Sequence, residues 1–163
     1  MNYKKKALVI KNDEIFEEVK QMLNPADYEV LHLENNEKTD KTILVVEDDI
    51  DLSTAIKRKL ELSGFSTIIV NSAQQALDYL QKPNEVDIVW LDHYLSGEQT
   101  GLDFMKKVKG IAHGKKDIPI IVVSSEDTLE NRQLYNAFGV KRYYTKIGSR
   151  LDSIVRDIKQ FLE

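Results

Sequence analysis

The sequence predicts an α/β fold in which a parallel sheet built from (βα)5 units carries helices on both faces. From residue 42 onward, short apolar runs of strand character alternate with segments whose apolar residues recur at helical spacing. The run over 86–91 is apolar at nearly every position, as expected for a strand buried on both sides, and it leads into Asp92 and a polar loop. Strands that alternate with helices in this way favour a parallel sheet with right-handed crossovers.

The composition limits the class of protein. The chain has 163 residues, of which 42% are hydrophobic and 31% charged, with a net charge of -4 and no cysteine. These values are typical of a globular domain with a small appendage, and they exclude disulfides, thiol catalysis and zinc-thiolate sites. The acidic balance argues against nucleic-acid binding, and no apolar run approaches the roughly 18 residues of a membrane span. We therefore expect a cytoplasmic protein without nucleic-acid or membrane partners.

The first 40 residues predict a separate β-α-β extension. Strands are expected over 7–10 and 28–33, and the helix between them has Phe16, Val19 and Leu23 on one face. A polar linker over 34–41 separates this extension (residues 1–40) from the main domain (residues 41–163). Because so small a unit buries little apolar area, we expect its strands to extend a parallel sheet, in the same chain or in a second copy.

Five strand–helix units are expected in the main domain. Apolar runs predict strands over 43–46, 65–70, 86–91, 120–123 and 140–144. The helix after the first strand has Asp49 as its expected cap, and the second is expected to be capped by Ser72. Further helices are expected over 102–108, 127–138 and 149–162. The sheet order 2-1-3-4-5, the flavodoxin-like arrangement, follows from this succession.

Polar residues follow the strands that lie side by side in this order. Glu47 and Asp48 follow the first strand, Asp92 the third, Ser124 the fourth and Lys146 the fifth. The carboxyl ends of such strands converge on one cleft. Three carboxylates together repel one another unless a hard cation such as Mg2+ lies among them. A lysine and a hydroxyl opposite them suit the oxygens of a phosphoryl group, which predicts Asp92 as a nucleophile that accepts one.

The motifs at these strand ends resemble the receiver domain of two-component response regulators across residues 42–162. They are Ile43-Leu44-Val45-Val46-Glu47-Asp48-Asp49, Leu91-Asp92, Val122-Val123-Ser124-Ser125, and Tyr143-Tyr144-Thr145-Lys146 after Gly139. The resemblance implies that Asp92 is the phosphoacceptor and that it holds Mg2+ together with Glu47, Asp48 and the Tyr94 backbone carbonyl.

The resemblance also implies the remaining roles and the partners. Ser124 is implied as the switch hydroxyl, Tyr143 as the switch aromatic and Lys146 as the lysine that binds phosphate. The phosphoryl group is expected from a sensor histidine kinase or a phosphotransfer protein in a phosphorelay, with no enzyme activity beyond self-catalysed transfer and autodephosphorylation. Because the sequence ends at Glu163, signalling is expected through contact with an unidentified downstream protein or a second copy, or by relay.

Several positions depart from the family pattern. Ser96 stands where a proline is usual, and Ile147 stands where a proline usually follows the lysine. In the extension, which resembles a degenerate copy of the first β-α-β unit, Lys11 and Asn12 replace the acidic pair. The extension therefore lacks the acids for a second metal site.

Alternative functions remain open at this point. An aspartyl-nucleophile phosphatase of the haloacid dehalogenase type needs a second aspartate where Tyr94 stands. A mononucleotide binder needs a first loop that attracts phosphate, and the acidic pair repels it. A receiver-like interaction module that is never phosphorylated is a further alternative. His93 is expected to point to solvent, and Trp90 is expected in the core.

Overall fold

A computed structural model of the chain describes residues 6–10, 13–32, 39–96, 99–108, 110 and 117–162. The strands of the described residues are β1 (Lys6–Ile10), β2 (Tyr28–His32), β3 (Thr42–Val46), β4 (Ser66–Val70), β5 (Ile88–Asp92), β6 (Ile120–Ser124) and β7 (Arg142–Thr145). The helices are α1 (Asp13–Met22), α2 (Ile50–Leu62), α3 (Ala73–Gln81), α4 (Gly101–Val108), α5 (Leu129–Ala137) and α6 (Leu151–Leu162). None of the helices described has the length and apolar character of a membrane span.

The chain divides into two units, Met1–Glu37 and Lys38–Glu163. In the first unit β1 and β2 pair in parallel, from Lys6 opposite Tyr28 to Ile10 opposite His32, and α1 connects them. This is the β-α-β unit that the sequence predicts. The described pairing places β1 and β2 in a sheet of two strands. The expectation that these strands extend a larger parallel sheet, in the same chain or in a second copy, stays a prediction.

The second unit contains a five-stranded sheet in the order β4-β3-β5-β6-β7. All four pairings are parallel. Counted from β3, this is the predicted order 2-1-3-4-5, which is confirmed. The register places Val46 opposite Leu91 and Asp92 opposite Val123. Neighbouring strands therefore end at nearly the same level, and the residues that follow them emerge at one edge of the sheet.

Alternation along the central strands creates an apolar core on each face. One core contains Leu44, Val46, Val89, Leu91, Phe104, Val122 and Tyr135. The other contains Ile43, Val45, Ile56, Ile88, Trp90, Ile121 and Ile158. Trp90 is 2% exposed, which confirms it as a core residue. Each fully buried Leu or Ile side chain stabilises the fold by about 1.5–3 kcal/mol, so the two cores fix the sheet on which the polar edge depends.

Side-chain caps fix the starts of the helices next to that edge. The Asp49 carboxylate accepts a hydrogen bond from Leu52 N at 2.9 Å, and Ser72 Oγ accepts one from Gln75 N at 3.3 Å. Both caps were predicted, and they satisfy backbone N–H groups that the first helical turn leaves without partners. The Asp49 side chain is thereby committed to α2, which separates it from the acidic pair that precedes it.

α4 begins very close to the end of β5. Gly101 N donates a hydrogen bond to the His93 carbonyl at 2.9 Å. A Cβ atom at Gly101 would lie 2.5 Å from the Tyr135 hydroxyl oxygen and 2.7 Å from the Asp92 carbonyl oxygen. Only glycine fits at this point, because both distances are shorter than any normal carbon–oxygen contact.

We expect Gly101→Ala to lower the free energy of unfolding by about 1–3 kcal/mol, because the added methyl group must displace backbone or a buried aromatic residue. Gly110→Ala is the matched control, since a Cβ there meets its nearest atom, Lys107 O, at 3.4 Å. Urea unfolding of both variants checks the prediction. Equal stability of the two variants would contradict the close approach of α4 to β5.

Candidate functional site

The strand ends bring three carboxylates together. Glu47, Asp48 and Asp92 each offer an oxygen, and these oxygens all lie within 4.8 Å of one another. Glu47 is 1% and Asp92 2% exposed, while Asp48 is half-buried. Converging carboxylate oxygens are the ligands that hard divalent cations prefer. The donor set therefore fits such a cation.

Lys146 reaches this cluster from the end of β7. Its Nζ donates hydrogen bonds to Asp92 Oδ2 at 2.9 Å and to Glu47 Oε1 at 3.1 Å, and it lies 3.0 Å from Glu47 Oε2. The Lys146 backbone N donates to the Ser124 carbonyl at 2.7 Å, which anchors the residue just beyond the strand. Burial alone lowers the pKa of Lys146, but its hydrogen bonds to Asp92 and Glu47 outweigh burial and raise the pKa. Lys146 is therefore charged at neutral pH.

The pKa of Glu47 is raised to about 7. The main cause is burial, which penalises the charged carboxylate, and the neighbouring Asp92 raises the pKa further. The hydrogen bond from Lys146 opposes both effects without cancelling them. Without a cation, Glu47 therefore holds a proton over part of the physiological pH range.

Asp48 and Tyr94 line the open side of the site. Both border a cleft that Asp92 and Lys146 also line. Ser96 Oγ donates a hydrogen bond to Asp48 Oδ2 at 2.5 Å, which orients that carboxylate. Tyr94 N donates to Asp92 Oδ1 at 3.3 Å, so the first turn of the loop after β5 bonds back to the aspartate side chain. Ser96 was predicted only as a departure from the family pattern, and its contact with Asp48 was missed.

The predicted switch residues meet at one backbone segment. Ser124 is fully buried, and its Oγ accepts a hydrogen bond from Glu126 N at 3.1 Å. The Tyr143 hydroxyl donates to the Glu126 carbonyl at 2.7 Å, and the Arg132 guanidinium lies 5.0 Å from the centre of the Tyr143 ring. Ser124 and Tyr143 are thus joined through Glu126.

His93 does not point to solvent, and the sequence expectation for it was wrong. The side chain is 6% exposed, and its Nδ1 forms a hydrogen bond with the Tyr135 hydroxyl at 2.7 Å. Tyr135 is fully buried, and a buried hydroxyl needs a hydrogen-bond partner, which draws the imidazole inward. Burial lowers the pKa of His93 and raises the pKa of Tyr135, so both side chains are uncharged at neutral pH.

Residues 43–158 match the family described as the response regulator receiver domain. The chain belongs to the receiver domain family. The match covers β3 through most of α6, and therefore every residue of the site described above. The predicted resemblance of the main domain and the predicted fold class are both confirmed, while the resemblance of the extension to a degenerate copy stays a prediction.

Two curated response regulators are similar to this chain at about the same level of sequence identity. The chain is 31% identical over 105 residues to the heme response regulator HssR of Staphylococcus saprophyticus, covering 64% of this chain and 44% of that protein. It is 29% identical over 104 residues to the transcriptional regulatory protein CpxR of Escherichia coli, covering 64% and 42%. The receiver domain of this chain thus spans less than half the length of these relatives.

Solved structures show the same fold. A receiver domain protein described as CheY-like from Methanospirillum hungatei superposes with a TM-score of 0.67 at 22% identity, covering 76% of this chain and 94% of that chain. The non-phosphorylated receiver domain of HemR from Leptospira biflexa gives a TM-score of 0.66 at 22% identity, covering 76% and 95%. The beryllofluoride-activated receiver domain of RstA from Klebsiella pneumoniae gives 0.65 at 23% identity, covering 76% and 99%.

The raised pKa of Glu47 predicts a pH-dependent stability in metal-free buffer. Between about pH 4.5 and pH 7 the unfolded chain has lost the Glu47 proton while the folded chain keeps it, so the free energy of unfolding falls as pH rises. We expect Glu47→Gln to remove this fall, on the order of 1–3 kcal/mol. Urea unfolding in a chelator across this pH range measures it, and parallel curves for the two proteins would contradict the raised pKa.

Proposed function

We propose that this receiver domain accepts a phosphoryl group on Asp92 from the phosphohistidine of a sensor histidine kinase or phosphotransfer protein. One observation carries the proposal: the Lys146 ammonium contacts a nearly buried Asp92 carboxylate that borders an open cleft. The carboxylate is thus accessible from one side only, and a fixed cation lies next to the place where phosphoryl oxygens must come to rest. This arrangement suits an aspartyl nucleophile.

The donor set supports Mg2+ as the cation of this site. Asp48 and Asp92 would bind it directly, with Glu47 and the Tyr94 carbonyl completing the protein ligands. Three carboxylates with a single lysine leave an excess of negative charge, which a divalent cation offsets. When bound, Mg2+ neutralises charge on the phosphoryl oxygens during transfer.

The transfer uses groups already in position. An Asp92 carboxylate oxygen attacks phosphorus, the phosphorus–nitrogen bond to the donor imidazole breaks, and its electron pair remains on that nitrogen. The Lys146 ammonium exchanges part of its contact with Asp92 and Glu47 for a contact with a phosphoryl oxygen. Before transfer, Ser124 Oγ accepts a hydrogen bond from Glu126 N. After transfer, the Ser124 hydroxyl donates a hydrogen bond to a second phosphoryl oxygen. Water attack on the acyl phosphate later returns Asp92 and releases phosphate.

The same rearrangement provides the signal. A phosphoryl group adds roughly -1.5 to -2 charge and three acceptor oxygens. Movement of Ser124 toward it weakens the contact with Glu126, and Glu126 is also the acceptor for the Tyr143 hydroxyl. Tyr143 is then free to move inward, which changes the surface formed by α5 and β7. A downstream protein would recognise this surface.

The boundary between the receiver and the extension is part of the proposal. The family match begins at residue 43 and the second unit at Lys38. We assign residues 41–163 to the receiver and residues 1–40 to a degenerate extension without phosphoacceptor chemistry. The extension is called degenerate because Lys11 and Asn12 replace the acidic pair, and these two residues lie outside the described residues.

Asp92→Asn is expected to abolish phosphorylation, because an amide oxygen is too weak a nucleophile to form the acyl phosphate. After incubation with acetyl phosphate and Mg2+, intact mass spectrometry should show one added phosphoryl group on the natural chain and none on the variant. Asp49→Asn is the matched control, since Asp49 caps α2 and an amide caps almost as well. Modification that persists in Asp92→Asn would refute the assignment.

A further inference from the structure

Behind Asp92 lies a buried pair of side chains that the proposed transfer does not use. His93, the next residue after the phosphoacceptor, forms the hydrogen bond from Nδ1 to the Tyr135 hydroxyl described above, 2.7 Å long. The two rings meet edge to face with centroids 5.6 Å apart. Tyr135 is the one buried residue of α5, so the pair ties this helix to the end of β5.

The His93–Tyr135 pair is packed closely against the start of α4. The His93 carbonyl accepts the hydrogen bond from Gly101 N, so both the main chain and the side chain of His93 are fixed. The missing Cβ of Gly101 provides the space in which the Tyr135 hydroxyl lies, next to the Asp92 carbonyl. The residue after Asp92 is therefore held by α4 through its main chain and by Tyr135 through its side chain.

Tyr135 also contacts the residue proposed to move on phosphorylation. The centroids of the Tyr135 and Tyr143 rings lie 5.6 Å apart at a tilt of 48°. An aromatic contact of this kind contributes about 0.5–1.5 kcal/mol and depends on ring orientation. A movement of Tyr143 would therefore change its ring contact with Tyr135 and, through the hydrogen bond, the position of His93.

We propose that the His93–Tyr135 hydrogen bond is a positioning link that couples the Asp92 end of β5 to Tyr143. The link rests on the proposed function, and it runs through the core that contains Tyr135, against which Tyr143 packs. Ser124 and Glu126 form a separate connection to Tyr143. His93 and Tyr135 touch no reacting atom, so both are positioning residues. They hold Asp92 for attack and bias Tyr143 toward its present place.

Tyr135→Phe tests the link, because it removes the hydroxyl and keeps the ring. Tyr144→Phe is the matched control: Tyr144 is also buried, and its hydroxyl donates to Asp157 Oδ2 at 2.6 Å in the core on the opposite face. Both variants lose one hydrogen bond of a tyrosine hydroxyl, buried at Tyr135 and partly buried at Tyr144, and urea unfolding measures the loss of stability in each. A purely structural role for Tyr135 therefore predicts the same behaviour for both.

The readout is the rate of phosphoryl gain from acetyl phosphate in saturating Mg2+, followed by intact mass. In this reaction the bond from Asp92 oxygen to phosphorus forms as the bond from phosphorus to acetate breaks, and acetate leaves with the electron pair. We expect Tyr135→Phe to slow the gain about three- to tenfold, as the loss of one hydrogen bond implies, and Tyr144→Phe to change it less than about twofold. Equal rates in the two variants would overturn the proposal.

Variants of His93 test the same link from its other end. His93→Asn places an amide near the position of Nδ1 and should keep most of the natural rate, whereas His93→Leu should be as slow as Tyr135→Phe. Combining His93→Leu with Tyr135→Phe should add no further slowing, because both remove the same bond. If the double variant is slowed by the product of the two single effects, the coupling is overturned. If Tyr135→Phe does not fold, the rate of His93→Leu against that of Tyr144→Phe tests the link. A natural chain that gains no phosphoryl group would overturn the proposed function and this link together.

Discussion

The Lys146 ammonium is shared between two carboxylates that the strands bury almost completely, and the arrangement of the site depends on this contact. Glu47 and Asp92 are each no more than 2% exposed, so neither could be charged there without a cation close by. Lys146 satisfies both at 2.9–3.1 Å. One lysine is insufficient for three acids, and burial together with the neighbouring Asp92 raises the pKa of Glu47 to about 7. This excess of carboxylates over cationic side chains supports the proposal that Mg2+ binds here.

The parallel sheet makes this contact possible. Glu47, Asp92 and Lys146 are far apart in the sequence, but each lies at the end of a strand or just after it, and the strands of this parallel sheet end at a common edge. The two apolar cores hold those strands in register, so the cost of gathering like charges is met by burial elsewhere in the domain. The carboxylates at the edge of the sheet therefore lower the stability of the domain, whereas the apolar cores on its two faces raise it.

Much of this arrangement could be predicted from the sequence because it depends on local patterns. Apolar runs predict the strands, Asp49 and Ser72 predict helix starts, and the polar residues after each strand predict the site once the strand order is known. The contacts that were missed depend on side-chain packing between distant elements. Ser96 meets Asp48, and His93 meets Tyr135 on a helix 42 residues further along the chain. No periodicity encodes the rotation of α5 that directs Tyr135 inward, so a loop histidine was expected to face solvent.

The most direct test of the account is a crystal structure of residues 1–163 with Mg2+ and beryllofluoride, which mimics a phosphoryl group on a carboxylate. We expect the fluoroberyllate bonded to an Asp92 oxygen, with Lys146 Nζ and Ser124 Oγ within hydrogen-bond distance of its fluorines. We also expect Mg2+ among Glu47, Asp48, Asp92 and the Tyr94 carbonyl. A fluoroberyllate bound elsewhere, or Lys146 still paired only with Glu47 and Asp92 oxygens, would contradict the central role of the shared lysine.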